Sequence, residues 1–140
     1  SYAIDSSALG GMYAGRIRLI ATEAGVGVRM LGDAAATADD FTLSSAGKIE
    51  IQSDISAQQD AYIASSSASG VDDLLLNDAN LSANRDLNLL VEEGEISLFE
   101  GTLYAANDLS LTSWMMRDLA VYSNTRFAGG DNSIVATSSP

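Results

Sequence analysis

Leu81 to Leu89 and Leu103 to Leu111 carry one motif written twice. An apolar residue, an Ala, an Asp and two more apolar residues recur at identical offsets, 22 residues apart. A third copy, Ile55 to Ile63, lies 26 residues upstream, and a fourth, Phe127 to Val135, lies 24 downstream with Asn132 in the Asp slot. A recurrence of 20 to 26 residues is the mark of a solenoid, whose units bury their apolar faces only by stacking on one another. Function in such a chain must be sought along a surface.

Within each unit the apolar residues alternate with polar ones, the period of a strand with one buried face. Three such pairs recur. The first series is Ala34/Ala36, Ile55/Ala57, Leu81/Ala83 and Leu103/Ala105, weakening to Phe127/Gly129. The second follows the Asp: Phe41/Leu43, Ala61/Ile63, Leu87/Leu89 and Leu109/Leu111. The third is Ile49/Ile51, Leu74/Leu76, Ile96/Leu98 and Leu119/Val121. Three short strands per turn of about 20–26 residues predict an all-β parallel β-helix of roughly triangular section. A helical repeat would place apolar residues at i, i+3, i+4 and i+7, and a leucine-rich repeat would repeat a fixed Asn with a helical segment behind it. Neither pattern recurs.

Composition narrows the chemistry. The chain has no His and no Cys, which removes Ser-His-Asp and Cys-His nucleophilic sites, thiolate zinc sites and disulfides. Its formal charge of −12, from 19 acidic and 7 basic residues, argues against nucleic acid and against anionic membrane as partners. No apolar run is long enough to span a bilayer, so no membrane insertion is expected. The chain begins without Met, and reads as a piece of a longer protein.

Asp40, Asp60, Asp86 and Asp108 each precede a strand, where a short carboxylate can accept a backbone N–H and support a corner. A calcium ladder is the competing reading, but calcium-binding β-helices use a Gly-Gly-x-Gly-x-Asp nonapeptide that only Gly129-Gly130-Asp131 faintly resembles. Neither metal nor cofactor is expected. Gly47, Gly94 and Gly101 are placed at corners for their freedom at positive φ. Ser65 to Gly70 lengthens one corner and reads as a solvated loop.

An enzyme of the polysaccharide-cleaving β-helix type would need two facing carboxyl groups. Glu92-Glu93, Asp72-Asp73 and Asp39-Asp40 are adjacent pairs that point apart on a strand or face water at a corner, and Glu93 with Glu95 reads as a solvated face. No catalytic residue is assigned, and no enzymatic activity is expected. A possible interaction surface is the apolar run Trp114, Met115 and Met116 with Tyr104 and Tyr122 near it in a stacked coil. Arg16, Arg18 and Arg29 are expected to pair with Asp5 and Glu23 rather than to hold an anionic glycan.

The first thirty residues break the repeat and carry a family resemblance. The stretch from Tyr2 to Arg29, with the pattern AIDxSALGGMYAxRIRLIxTExGVGVR, covers about a fifth of the chain. It resembles the block that follows the secretion domain in filamentous haemagglutinin-type exoproteins, including contact-dependent growth inhibition toxin-delivery proteins. The later units resemble their degenerate haemagglutinin repeats. The resemblance implies a right-handed β-helical rod in which residues 1–30 enter the coil and residues 31–140 form one continuous solenoid. It further implies a shaft of a secreted or surface-displayed bacterial adhesin, exported by an outer-membrane two-partner secretion transporter towards a host or neighbouring-cell receptor or glycan.

Overall fold

The computed structural model describes residues 2–5 and 11–113, and the backbone of the strands at 119–123, 126–128 and 134–138. These residues contain strands and corners and no helix. The first sheet comprises β1 (Tyr2–Asp5), β4 (Gly27–Met30), β7 (Ile49–Ile51), β10 (Leu74–Asn77), β13 (Ile96–Phe99) and β16 (Leu119–Ser123). The second comprises β2 (Met12–Ala14), β5 (Ala34–Ala36), β8 (Asp54–Ala57), β11 (Asn80–Ala83), β14 (Thr102–Ala105) and β17 (Arg126–Ala128). The third comprises β3 (Ile17–Ala21), β6 (Phe41–Ser45), β9 (Ala61–Ser65), β12 (Leu87–Val91), β15 (Leu109–Ser113) and β18 (Ile134–Ser138). Every third strand returns to the same sheet and pairs in parallel with its predecessor, so the chain is a three-sided parallel β-solenoid.

The register is the one the apolar pairs predict. Leu87 lies between Ala61 and Leu109, Leu81 between Ile55 and Leu103, and Leu74 between Ile49 and Ile96. The first thirty residues, whose sequence departs from the repeat, nevertheless supply four strands, two to the first sheet and one to each of the others: β1 pairs with β4, β2 with β5 and β3 with β6.

Side-chain size fits the narrow interior. One inner column of the second sheet is Ala36, Ala57, Ala83 and Ala105, all buried, while the facing sheets contribute Ile, Leu and Val. Phe41 is fully buried where its upper neighbour in the column is only Ala61, a large residue seated against a small one. Small residues on one wall explain how the core closes with few aromatics. The third sheet ends its inner face on Ser45, Ser65 and Ser113, which are also buried. Two of these serines hold the adjoining corner: the Gly47 N–H donates to Ser45 Oγ, and Ser65 Oγ donates to the Gly47 carbonyl.

Leu87 is fully buried and Asn88 points outward beside Tyr62 and Ser110. Leu87→Asp should therefore cost at least about 3 kcal/mol, because it strands a charge in an apolar column. Asn88→Asp should move stability by less than about 0.5 kcal/mol. Urea denaturation of both variants checks the assignment, and equal losses would reverse it.

Candidate functional site

The corner between the second and third sheets is built on carboxylates. Asp40 Oδ1 accepts the N–H of Asp60 at 2.9 Å, Asp60 Oδ1 that of Asp86 at 3.0 Å, and Asp86 Oδ1 that of Asp108 at 3.1 Å. The backbone completes each step in the opposite sense: Phe41 N–H donates to the Asp60 carbonyl, Ala61 N–H to that of Asp86, and Leu87 N–H to that of Asp108. The side chain thus supplies the acceptor that a strand carbonyl would have supplied where the chain bends away from its ladder. The aspartates do support the corner, but the partner of each is one turn along rather than local. A side-chain oxygen of Asp108 is buried without a hydrogen-bond partner. Among the described residues no group of three or more acidic side chains is arranged to hold a metal ion.

Chain length varies chiefly at another corner. From β5 onward the second-to-third corners are residues 37–40, 58–60, 84–86 and 106–108, and the first-to-second corners are equally short. The corners from the third sheet to the first are residues 22–26, 46–48, 66–73 and 92–95, and so run from three to eight residues. The longest is solvent-exposed along Ser66, Ala68, Ser69 and Gly70, as expected from its serines, but it also has an ordered interior. It wraps a fully buried carboxylate, Asp73. Asp73 Oδ1 accepts from Ser67 Oγ at 2.6 Å, Ser69 Oγ at 2.7 Å and Ser69 N–H at 3.0 Å, while Oδ2 accepts from the N–H groups of Gly70 and Glu95, both at 2.9 Å. Burial alone would push this carboxyl up. The donated bonds from Ser67, Glu95 and Ser69 outweigh it and hold the pKa below its ordinary value.

Gly47 and Gly94 at this corner serve close approach, whereas Gly25 and Gly70 take positive φ, at 79° and 85°. A Cβ at Gly94 would collide with the Asp73 carboxylate, and one at Gly47 with the Val26 carbonyl. Gly101, at φ 86°, does need the left-handed region.

Beside the variable corner the outer face of the first sheet forms an open groove of about 570 Å³, lined by Tyr2, Gly27, Gly47, Lys48, Glu50 and Asp72 among others. Lys48 Nζ donates to the Val71 carbonyl at 2.9 Å. Arg29 pairs with Asp5 at 2.9 Å and stacks over the Tyr2 ring at 4.7 Å, as the pairing expectation held for that arginine. Arg16, Arg18 and Glu23 are exposed.

Of the residues expected to form an interaction surface, Tyr104 stands exposed on the outer face of the second sheet. Tyr122 belongs to a strand of the first sheet, so the two are not stacked neighbours. Trp114, Met115 and Met116 lie outside the described residues. Sequence reasoning missed Asp73 because it read Asp72-Asp73 as a water-facing pair. The available signal was a Ser-rich corner ending in an acid, a set of donors in search of an acceptor.

Three sheets of stacked parallel strands with a recurring corner carboxylate define a β-solenoid of the kind that extends by adding turns. The chain belongs to the filamentous haemagglutinin-type exoproteins of two-partner secretion, the family of the contact-dependent growth inhibition proteins. The 16S rRNA endonuclease CdiA of Enterobacter cloacae subsp. cloacae is 36% identical over 124 residues, covering 79% of this chain and 4% of that protein. Toxin CdiA of Yersinia pestis is 43% identical over 70 residues, covering 50% of this chain and 2% of that protein. The tRNA nuclease CdiA-2 of Burkholderia pseudomallei is 55% identical over 47 residues, covering 34% of this chain and 2% of that protein. This chain therefore spans only 2 to 4% of the length of these relatives. No family model and no solved structure matches it. No helix among the described residues is long and apolar enough to cross a membrane.

Two expectations are corrected by these relatives. Proteins named as a 16S rRNA endonuclease and tRNA nucleases point to enzymatic activity, and to RNA as a partner, where neither an enzyme nor nucleic acid was expected. The reason is one of scale. Acidic balance and missing His were read over a small fraction of such a protein, and neither constrains the remainder.

Asp86→Ala should cost about 1–3 kcal/mol, because it leaves the Asp108 N–H without its acceptor, and Asp86→Asn, which keeps an oxygen there, should cost less. Denaturant midpoints at equal m-value would show this. For Asp73 the folded pKa lies below the unfolded one, so its stabilisation is complete above the ordinary carboxylate pKa of about 3.9 and is lost as pH falls through the lower folded value. The stability gap between the parent chain and Asp73→Asn should be widest at neutral pH and close in acid, as measured by urea melts across that range.

Proposed function

We propose that this chain is a segment of the shaft of a contact-dependent growth inhibition exoprotein. The parent protein crosses the outer membrane through a two-partner secretion transporter and stands on the bacterial surface as an adhesin-like, toxin-delivering filament. Like its nuclease-named relatives, it acts on RNA. Residues 1–30 are the block through which the chain enters the coil, and residues 31–140 continue it.

The observation that carries this proposal is the parallel stacking of all three sheets across six strand levels, in constant register from β4 to β13 in the first sheet, β2 to β17 in the second and β3 to β15 in the third. Each level adds about 4.8 Å, so the segment contributes a rod of roughly 25–30 Å. Each turn buries its apolar face on its neighbour and asks for no new core, which makes length the property such a chain can extend most easily. The small share of its relatives that it spans is consistent with one stretch of a much longer repetitive body.

Because Leu87 pairs with Leu109, removing residues Leu87 to Asp108 joins Asp86 to Leu109 and deletes one turn without shifting any strand to the wrong face. In the full-length protein this deletion should shorten the filament by one turn and leave export and growth inhibition of neighbouring cells intact. Loss of inhibition with normal export would show that this turn carries a specific site and would end the shaft reading.

A further inference from the structure

We propose that the groove beside the variable corner is a binding site for a short neutral oligosaccharide. In stacked-repeat proteins, insertions gather on one face, and that face is often the one that binds. Here the three-to-eight-residue corner is that place, and the groove lies directly along it. Its volume of about 570 Å³ falls within the range of small-molecule sites, about 300–1,000 Å³.

The lining selects the chemistry. Gly27 and Gly47 let neighbouring backbone pack closely beneath the groove, so its floor is fixed backbone rather than mobile side chain. Tyr2 forms one wall; Arg29 stacks on its ring, yet 42% of the residue remains exposed, leaving an apolar surface for the C–H face of a sugar ring. Glu50 and Asp72 offer carboxylate acceptors, and Lys48 spends one donor on the Val71 carbonyl and keeps two. An anion would meet two carboxylates in a chain of net charge −12. An apolar ligand would strand those carboxylates without water. A cation would meet Lys48, with Arg29 beside it in register with Glu50. A polyol, whose hydroxyls both donate and accept, satisfies acceptors and donors together, and its bonds to carboxylates are the strong charge-assisted kind.

The test is a titration of backbone amide chemical shifts of the 140-residue chain with short neutral hexose oligosaccharides such as cellobiose and maltotriose, run in parallel with tetralysine. The expected result is a saturable shift at Gly27, Gly47, Lys48 and Asp72 with the oligosaccharides. Affinity should fall about ten-fold in Glu50→Gln and in Tyr2→Ala, each of which removes one principal contact. Both side chains lie outside the core, so both variants should stay folded by circular dichroism, Tyr2→Ala losing only its stacking on Arg29, and lost binding can be read as lost contacts. Three outcomes overturn the proposal: no saturable shift with any oligosaccharide, shifts that persist undiminished in both variants, or a response to tetralysine alone, which would make the groove a surface for basic peptides.

Discussion

Everything in this molecule depends on the parallel stacking of one turn on the next. A single three-strand turn cannot enclose a core; Leu87 is buried because Ala61 and Leu109 lie on either side of it, and the Ile49, Leu74 and Ile96 column is buried for the same reason. Where a neighbour is missing, burial declines: Ala14, Met12 and Leu19 in the first turn are more exposed than Ala36, Ala34 and Leu43 in the second. Stability in such a coil is a sum of neighbour interfaces rather than a property of one centre. That constraint makes register the variable the sequence must protect.

The two long-spaced corners divide the work of protecting it. At the second-to-third corner, short and nearly constant segments carry the aspartates, and each carboxylate takes an amide from the turn above. Turns of different total length are thereby pinned at the same point before the third-sheet strand begins. Differences in length emerge at the next corner, after that strand, where eight residues can wrap Asp73 or three can close tightly over Gly47. An insertion at the aspartate corner would break the amide-to-carboxylate step and move a strand off its apolar column. An insertion at the other corner costs only the ordering of a loop, and the five bonds to Asp73 offset that cost in the longest one.

This division also explains what the sequence disclosed and what it hid. The strand series were legible residue by residue, since a period of two inside a period of 20–26 leaves little freedom in which side chains face inward. The aspartates were legible as corner formers, although nothing in a linear pattern shows that the accepting oxygen and donating amide belong to successive turns. Asp73 was not legible, because alternation says nothing about a corner and an acid beside serines resembles a solvated loop until the loop is seen to fold over it. In the first turn the alternation of Arg16 to Leu19 and of Val26 to Val28 marks β3 and β4 as strands, whereas β1 and β2, in a stretch rich in Gly, are revealed only by their pairing with β4 and β5. Tyr104 falls inside the Leu103/Ala105 pair and Tyr122 directly after Leu119/Val121, so the strand series itself separates the two tyrosines onto different sheets, which proximity in the linear sequence concealed.

Stacking has an electrostatic cost, because a repeated acid returns at nearly the strand spacing. Two unit charges about 4 Å apart repel by about 1 kcal/mol even in water, and by more near a protein surface. The chain relieves this by placing donors between the acids. Asn80 Nδ2 donates to Asp54 and Asn107 Nδ2 to Asp86, both at 2.8 Å, and Arg85 Nε lies 3.6 Å from Asp60. Backbone amides from the turn above occupy the oxygens that face along the stack. The outward positions of the third sheet avoid the problem instead, with Thr42, Ser44, Tyr62, Ala64, Asn88, Leu90, Ser110 and Thr112 carrying no charge. Most acids sit at corners, and of those in strands Glu50 lies in register with Arg29, Asp5 pairs with the same arginine and Asp54 takes the Asn80 amide. With a net charge of −12, the donors set between successive acids limit the repulsion that stacking would otherwise accumulate from turn to turn.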